Sequence, residues 1–154
     1  MRRRPEPWEL TRIRAVLEYQ FDAEVARALL SGSVLVETGG KGSIRHVIVD
    51  GVRMLTLRPN DGLFSISLPA AIRIVGASEP PRYRVVVSGD REIRGSVLVV
   101  DVVEMDPGLR PGDEAVVVGR DDKVIAVGRV RLPRAVLDGL ARGEVVRVRK
   151  RVKE

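Results

Sequence analysis

Cysteine is absent from these 154 residues, so the chain has no disulfide framework, no cysteine-bound zinc and no thiol nucleophile. A reducing, cytoplasmic setting suits such a composition. Aromatic residues are scarce as well, with one Trp, two Tyr and two Phe, which argues against a stacking platform of the kind that grips single-stranded nucleic acid. The single histidine, His46, has no cysteine near it and reads as a strand or surface residue rather than a catalytic base or metal ligand. No stretch approaches the roughly 20 apolar residues of a membrane span. Met1-Arg2-Arg3-Arg4 is cationic, but Pro5-Glu6-Pro7-Trp8 follows where a signal peptide would place an apolar run, so none is expected.

What the chain does have is positive charge. Lys and Arg number 27 against 21 Asp and Glu, a net charge of +6, and such an excess is the electrostatic footprint of a nucleic-acid binder. Arginine supplies 23 of those cations, which favours planar, bidentate contacts to phosphate over point-charge attraction. The densest cluster is Glu144-Val145-Val146-Arg147-Val148-Arg149-Lys150-Arg151-Val152-Lys153, where valines alternate with cations. In an ideal strand Arg147, Arg149 and Arg151 share one face at about 7 Å spacing. That row could track a phosphate backbone; the competing reading is a solvated edge strand whose charges discourage aggregation.

With 44% apolar residues the chain can build the core of one ordinary domain or of two small ones. Ala77-Ser78-Glu79-Pro80-Pro81 interrupts regular structure and marks a boundary, giving domains 1–78 and 79–154. In the first, Pro7 opens a helix carrying Leu10, Ile13 and Leu17, and Asp22 caps a second with Val25, Leu29 and Leu30 that stops at Gly32. Short strands are predicted over 34–37, 44–49 and 52–57, the last two joined by the hairpin signal Asp50-Gly51. A strand over 63–67 and a short helix over 68–74 complete a small α+β unit. The second half reads as five strands, over 83–87, 97–103, 115–118, 124–130 and the basic end. Added to these are a polar helical turn over 90–94 and a helix opened by Pro133 that runs to about Gly143. Such a pattern suggests a small barrel.

Several constellations read as structural. Asp101, Glu104 and Asp106 form a carboxylate group, but positions 101 and 104 of an ideal strand face opposite sides, which counts against a metal site. Thr38-Gly39-Gly40-Lys41-Gly42-Ser43 lacks the leading glycine and following helix of a phosphate-binding loop. It reads as a hairpin loop, with Lys41 and Arg45 as secondary candidates for RNA contact. Asp61 suits its turn on backbone grounds alone. No nucleophile, base and oxyanion site assembles, so no catalytic residue, metal or cofactor is assigned.

Taken in order, Gly95-Ser96-Val97, Arg110-Pro111-Gly112-Asp113-Glu114, Ile125-Ala126-Val127-Gly128-Arg129 and Gly143-Glu144-Val145-Val146-Arg147-Val148-Arg149 closely resemble the PUA domain over residues 82 to about 150. Tyr19-Gln20-Phe21, Ile44-Arg45-His46-Val47, Asp50-Gly51 and Thr56-Leu57-Arg58-Pro59-Asn60-Asp61-Gly62 resemble the domain that precedes PUA in archaeal tRNA-guanine (archaeosine) transglycosylases. The resemblance implies an α+β chain: a small N-terminal α+β domain followed by a PUA-type, mostly β pseudo-barrel. It also implies the RNA-holding part of those enzymes without their catalytic barrel, whose aspartate nucleophile and cysteine-containing zinc site have no counterpart here.

In RNA-bound PUA domains the contact surface is generally the first short helix, the strand after it and the final strand. Carried over by motif, the RNA-binding residues here are Arg91, Arg94, Gly95, Ser96, Val97, Arg147, Arg149 and Lys150. A glycine lets a sugar-phosphate backbone approach closely. The expected partner is RNA, chiefly tRNA read by shape and backbone, together with a separately encoded tRNA-modifying enzyme. The alternative is a protein-interaction subunit that has no RNA affinity of its own.

Overall fold

In the computed structural model, which describes residues 1–153, the chain begins with a two-residue strand, β1 (Arg2–Arg3). The sequence reading left this segment without structure. Arg3 sends both terminal nitrogens to the buried carboxylate of Glu9, at 2.7 and 2.9 Å. Helix α1 (Pro7–Gln20) starts at that point: Pro7 has no N–H to leave unpaired, and Glu9 also accepts the Glu6 N–H at 2.8 Å. Asp22 opens α2 (Ala23–Leu29) by accepting the Val25 N–H at 2.7 Å.

Strands β2 (Val34–Thr38), β3 (Ile44–Val49), β4 (Val52–Leu57) and β5 (Phe64–Ile66) follow as an antiparallel meander with β1 at its edge. Asp50 and Gly51 both take positive φ, 50° and 80°, as the tight turn between β3 and β4 requires. Ser67 then caps α3 (Leu68–Gly76) through the Ala70 N–H. Ile13, Leu17, Val25, Leu29, Val36, Val47, Leu55, Ile66, Ala71 and Ile74 are all buried, and α1 packs on α2, α2 on α3 and α3 on β4. This unit ends at Ala77.

The second unit is a half-barrel. Its strands are β6 (Arg84–Val87), β7 (Ser96–Leu98), β8 (Val102–Met105), β9 (Glu114–Val118), β10 (Val124–Val130) and β11 (Glu144–Arg151), in the order β7-β11-β10-β9-β6-β8. All pairings are antiparallel except β6 with β9. Val85, Val97, Met105, Val117, Ala126, Val130, Val145 and Val146 fill the interior. Arg84 is fully buried. Its guanidinium meets Asp122 at 2.7 and 3.0 Å and also donates to Ser78 and to the Arg82 carbonyl, so the start of the unit is tied to the β9–β10 turn.

Three expectations for this unit need correction. Residues 90–94 form bends, not a helical turn: Ile93 is buried, and Arg91 is drawn to the Asp101 carboxylate and the Ser96 carbonyl. The single strand expected over 97–103 is two, β7 and β8, separated by a 3-10 turn over Val99–Asp101. Asp101 pins that turn by accepting the Leu98 N–H at 2.8 Å, and the unit therefore has six strands instead of five. The helix after Pro133 is also short, α4 (Arg134–Leu137), and no residue of it is buried.

Candidate nucleic-acid interface

Strand β11 lies between β7 and β10, and two irregularities shape it. Its register against β7 shifts at Val145, which lets both Val145 and Val146 enter the core. Against β10, Gly128 pairs with Val148 and Val127 with Lys150, so Arg149 is the extra residue of a bulge. The expected row of Arg147, Arg149 and Arg151 on one ideal strand face is thus interrupted. Each of the three meets a different acid: Arg147 meets Glu144 at 3.3 Å, Arg149 meets Glu114 at 2.5 Å, and Arg151 meets Glu92 at 3.0 Å.

These pairs are unequal. Glu114 has a fully buried side chain, and a buried carboxylate without a cation is costly, so Arg149 is held in place by the fold. The Arg151–Glu92 pair is exposed on both sides, where such pairs contribute little and a phosphate can compete. Arg91 resembles Arg149: its guanidinium meets the buried Asp101 at 2.6 and 3.0 Å. Burial alone would raise the Asp101 pKa, but the Arg91 hydrogen bond and the Leu98 N–H outweigh it and hold that carboxyl below its ordinary value.

The remaining predicted contacts are distributed as follows. Arg94 is strongly exposed and touches only the equally solvated Glu92. Lys150 is exposed. The Ser96 hydroxyl donates to the Glu144 carboxylate, and this bond with the Arg147 charge keeps Glu144 below its usual range. Val97 is fully buried in the half-barrel and presents no surface to a ligand. Gly95 is exposed, its φ is not positive, and a Cβ built there would meet nothing within 4 Å. Its carbonyl accepts the Val148 N–H at 2.9 Å, which places the glycine directly beside β11. The 90–95 loop and the start of β7 therefore adjoin β11, and Arg94, Lys150 and Arg147 are each exposed.

The other constellations are occupied by the fold. Asp106 accepts the Tyr83 and Gly108 N–H groups at 2.8 Å each, while Asp101 serves Arg91. His46 Nδ1 lies 3.0 Å from the Thr56 hydroxyl, and burial, reinforced by the Arg53 charge, lowers its pKa. The Thr38–Ser43 segment closes as a hairpin loop through Gly39 N–H to the Ser43 carbonyl at 2.9 Å. Asp61 meets Arg58 at 2.8 Å and caps the Leu63 N–H. Sequence reasoning missed the partnership of Glu114 with Arg149, because its only signal is the pairing order β9-β10-β11 and not any local spacing. Among the described residues no helix is long and apolar enough to cross a membrane.

Comparison with known proteins matches residues 11–81 to the patch-forming domain C2 of tRNA-guanine transglycosylase and residues 86–152 to the PUA domain. The chain is 31% identical over 151 residues to tRNA-guanine(15) transglycosylase of Methanobrevibacter smithii and 34% identical over 157 residues to that of Thermococcus kodakarensis. These alignments cover 95% and 98% of this chain but only 23% and 27% of the relatives, so the chain spans about a quarter of their length. In fold it is similar to a hypothetical protein of Pyrococcus horikoshii, with a TM-score of 0.78 at 21% identity over 100% of this chain and 96% of that one. It is also similar to a conserved PUA domain protein of Thermoplasma acidophilum, with a TM-score of 0.69 at 19% identity over 100% and 95%.

Proposed function

Because the chain joins a C2 domain of the tRNA-guanine transglycosylase type to a PUA domain, resembling the C-terminal part of the archaeal enzymes, we propose that it is a non-catalytic tRNA-binding protein. On this reading it holds tRNA on the PUA half-barrel and assists a separately encoded modifying enzyme or another RNA-processing step. The observation that carries the reading is Gly95. Nothing inside the fold requires a glycine there, for neither its backbone conformation nor any neighbour excludes a side chain. The vacant space lies outside the protein, beside Arg94 and β11, where a sugar-phosphate backbone would pass. Arg94, Lys150 and Arg147 then supply the phosphate contacts, and the exposed Arg151 adds to them. Arg91 and Arg149, though solvent-accessible, are anchored by buried carboxylates, Asp101 and Glu114.

The test is tRNA affinity measured across a salt series on the whole chain. Neutralising several phosphates makes affinity fall steeply with salt, by roughly 0.7–0.9 in logarithmic slope per contact. Arg94→Glu combined with Lys150→Glu should abolish binding at moderate salt while thermal melting stays at the parent value, since neither side chain holds a buried partner. Binding that is absent from the parent, or insensitive to salt, would instead support the protein-interaction reading.

A further inference from the structure

We propose a second phosphate-binding subsite on the half-barrel, in the cleft where Arg129 and Arg131 face Arg147 across from the Pro111-Gly112 turn; it rests on the RNA-binding reading and extends it to β10. The cleft is open, about 360 Å³, and three of its lining residues are arginines while none is an acid. Arg129 and Arg147 are direct partners across β10 and β11. Like charges placed opposite one another on neighbouring strands are destabilising, and two carboxylates, Glu114 and Glu144, answer this arginine cluster from outside the cleft. Glu114 lies 4.0 Å from Arg129 but is shared with Arg149 at 2.5 Å. Glu144 meets Arg147 at 3.3 Å and simultaneously accepts from Ser96.

A phosphodiester in this cleft would bring a further counter-charge to its three arginines, and guanidinium groups suit it because their forked donors match two phosphate oxygens. Gly112, at φ 93°, provides a wall without a side chain, so a bulky RNA backbone can reach the cations. Arg147 lines the cleft and also belongs to the surface beside Gly95, since it pairs with Ser96 across β7 and β11. One RNA strand could therefore engage both. The occupant to which the geometry points is an RNA phosphodiester, held without base readout.

The test uses the full chain carrying Arg129→Gln and Arg131→Gln, with Arg131→Gln alone as the companion should the double variant fold poorly. Relative to the parent, the slope of log affinity for tRNA against log salt should fall by about 1 to 2 for the pair and by about half that for the single change. In parallel, inorganic phosphate is titrated while the amide signals of Gly112 and residues 129–131 are followed by NMR. The parent should respond there and the variant should not. A parent that binds tRNA with a slope unchanged by the substitutions overturns the subsite and leaves the RNA reading standing. A phosphate response with that unchanged slope marks a small-anion site and equally overturns the RNA assignment. Should the parent fail to bind tRNA, the parent reading falls, and with it the RNA occupant.

Discussion

A Cβ at Gly128 would lie 2.1 Å from the Arg147 carbonyl oxygen and 2.8 Å from its carbon, so β10 and β11 could not keep their present spacing. At Gly95 a Cβ meets nothing. The two glycines therefore predict opposite phenotypes. Gly128→Ala should cost on the order of 3 kcal/mol through overpacking, lowering the melting temperature of the second unit by roughly 10–20 °C. Gly95→Ala should leave melting unchanged and weaken tRNA binding, and Gly95→Asp should weaken it further by adding bulk and negative charge at a phosphate site. Calorimetry and a binding isotherm on the same samples separate the cases. Equal RNA affinity for the parent and both Gly95 variants would remove the glycine from the interface. Arg149→Glu, by contrast, would set a second carboxylate against the buried Glu114, so its loss of binding would report unfolding.

Among the elements, α1 is the one whose start depends on a distant strand. Glu9 accepts from Arg3 of β1 and from the Glu6 N–H, and these bonds, the Arg3 bond foremost, bring its pKa from an ordinary 4.5 down to about 2. A carboxyl depressed in the folded state contributes stability that is present above its unfolded value and lost as pH falls through the folded one. Glu9→Gln should therefore lower the melting temperature at pH 7, and the gap from the parent should begin to close below about pH 4.5 and vanish near pH 2. Melting curves over that range check it, and a gap independent of pH would show that the ion pair adds nothing. Local chemistry made most elements of the first unit legible: Pro7, Asp22 and Asp50-Gly51 each act within a few residues of themselves. The Arg3–Glu9 link was not legible, since nothing local distinguishes Arg3 from its neighbours Arg2 and Arg4. In the second unit Asp101 splits a valine-rich run that periodicity alone joins. The bulge at Arg149 depends on its partner strand. The motif order named the candidate residues, the buried Val97 among them, but the division between Arg94 or Lys150, which touch no buried acid, and Arg91 or Arg149, which serve one, was not legible.

For the whole molecule, the question is whether these 154 residues can perform base exchange or only hold its substrate. Exchange at a glycosidic bond needs a nucleophile with an adjacent acid or base. The cysteine-free composition offers one histidine, and its Nδ1 is engaged with Thr56. The buried carboxylates Glu9, Asp101 and Glu114 are each paired with an arginine within the fold. The chain alone should therefore incorporate neither guanine nor its deazaguanine relatives into tRNA. Added to a catalytic partner, it should raise incorporation into whole tRNA much more than into a short stem-loop, because binding energy from remote RNA contacts is available only in the larger substrate. Labelled-base incorporation into both substrates, with and without this protein, decides the matter. Incorporation by the chain alone would overturn the non-catalytic reading, and equal stimulation on the stem-loop would sink the presenting role, since the contacts around Gly95 and β11 would then add nothing that the short substrate lacks.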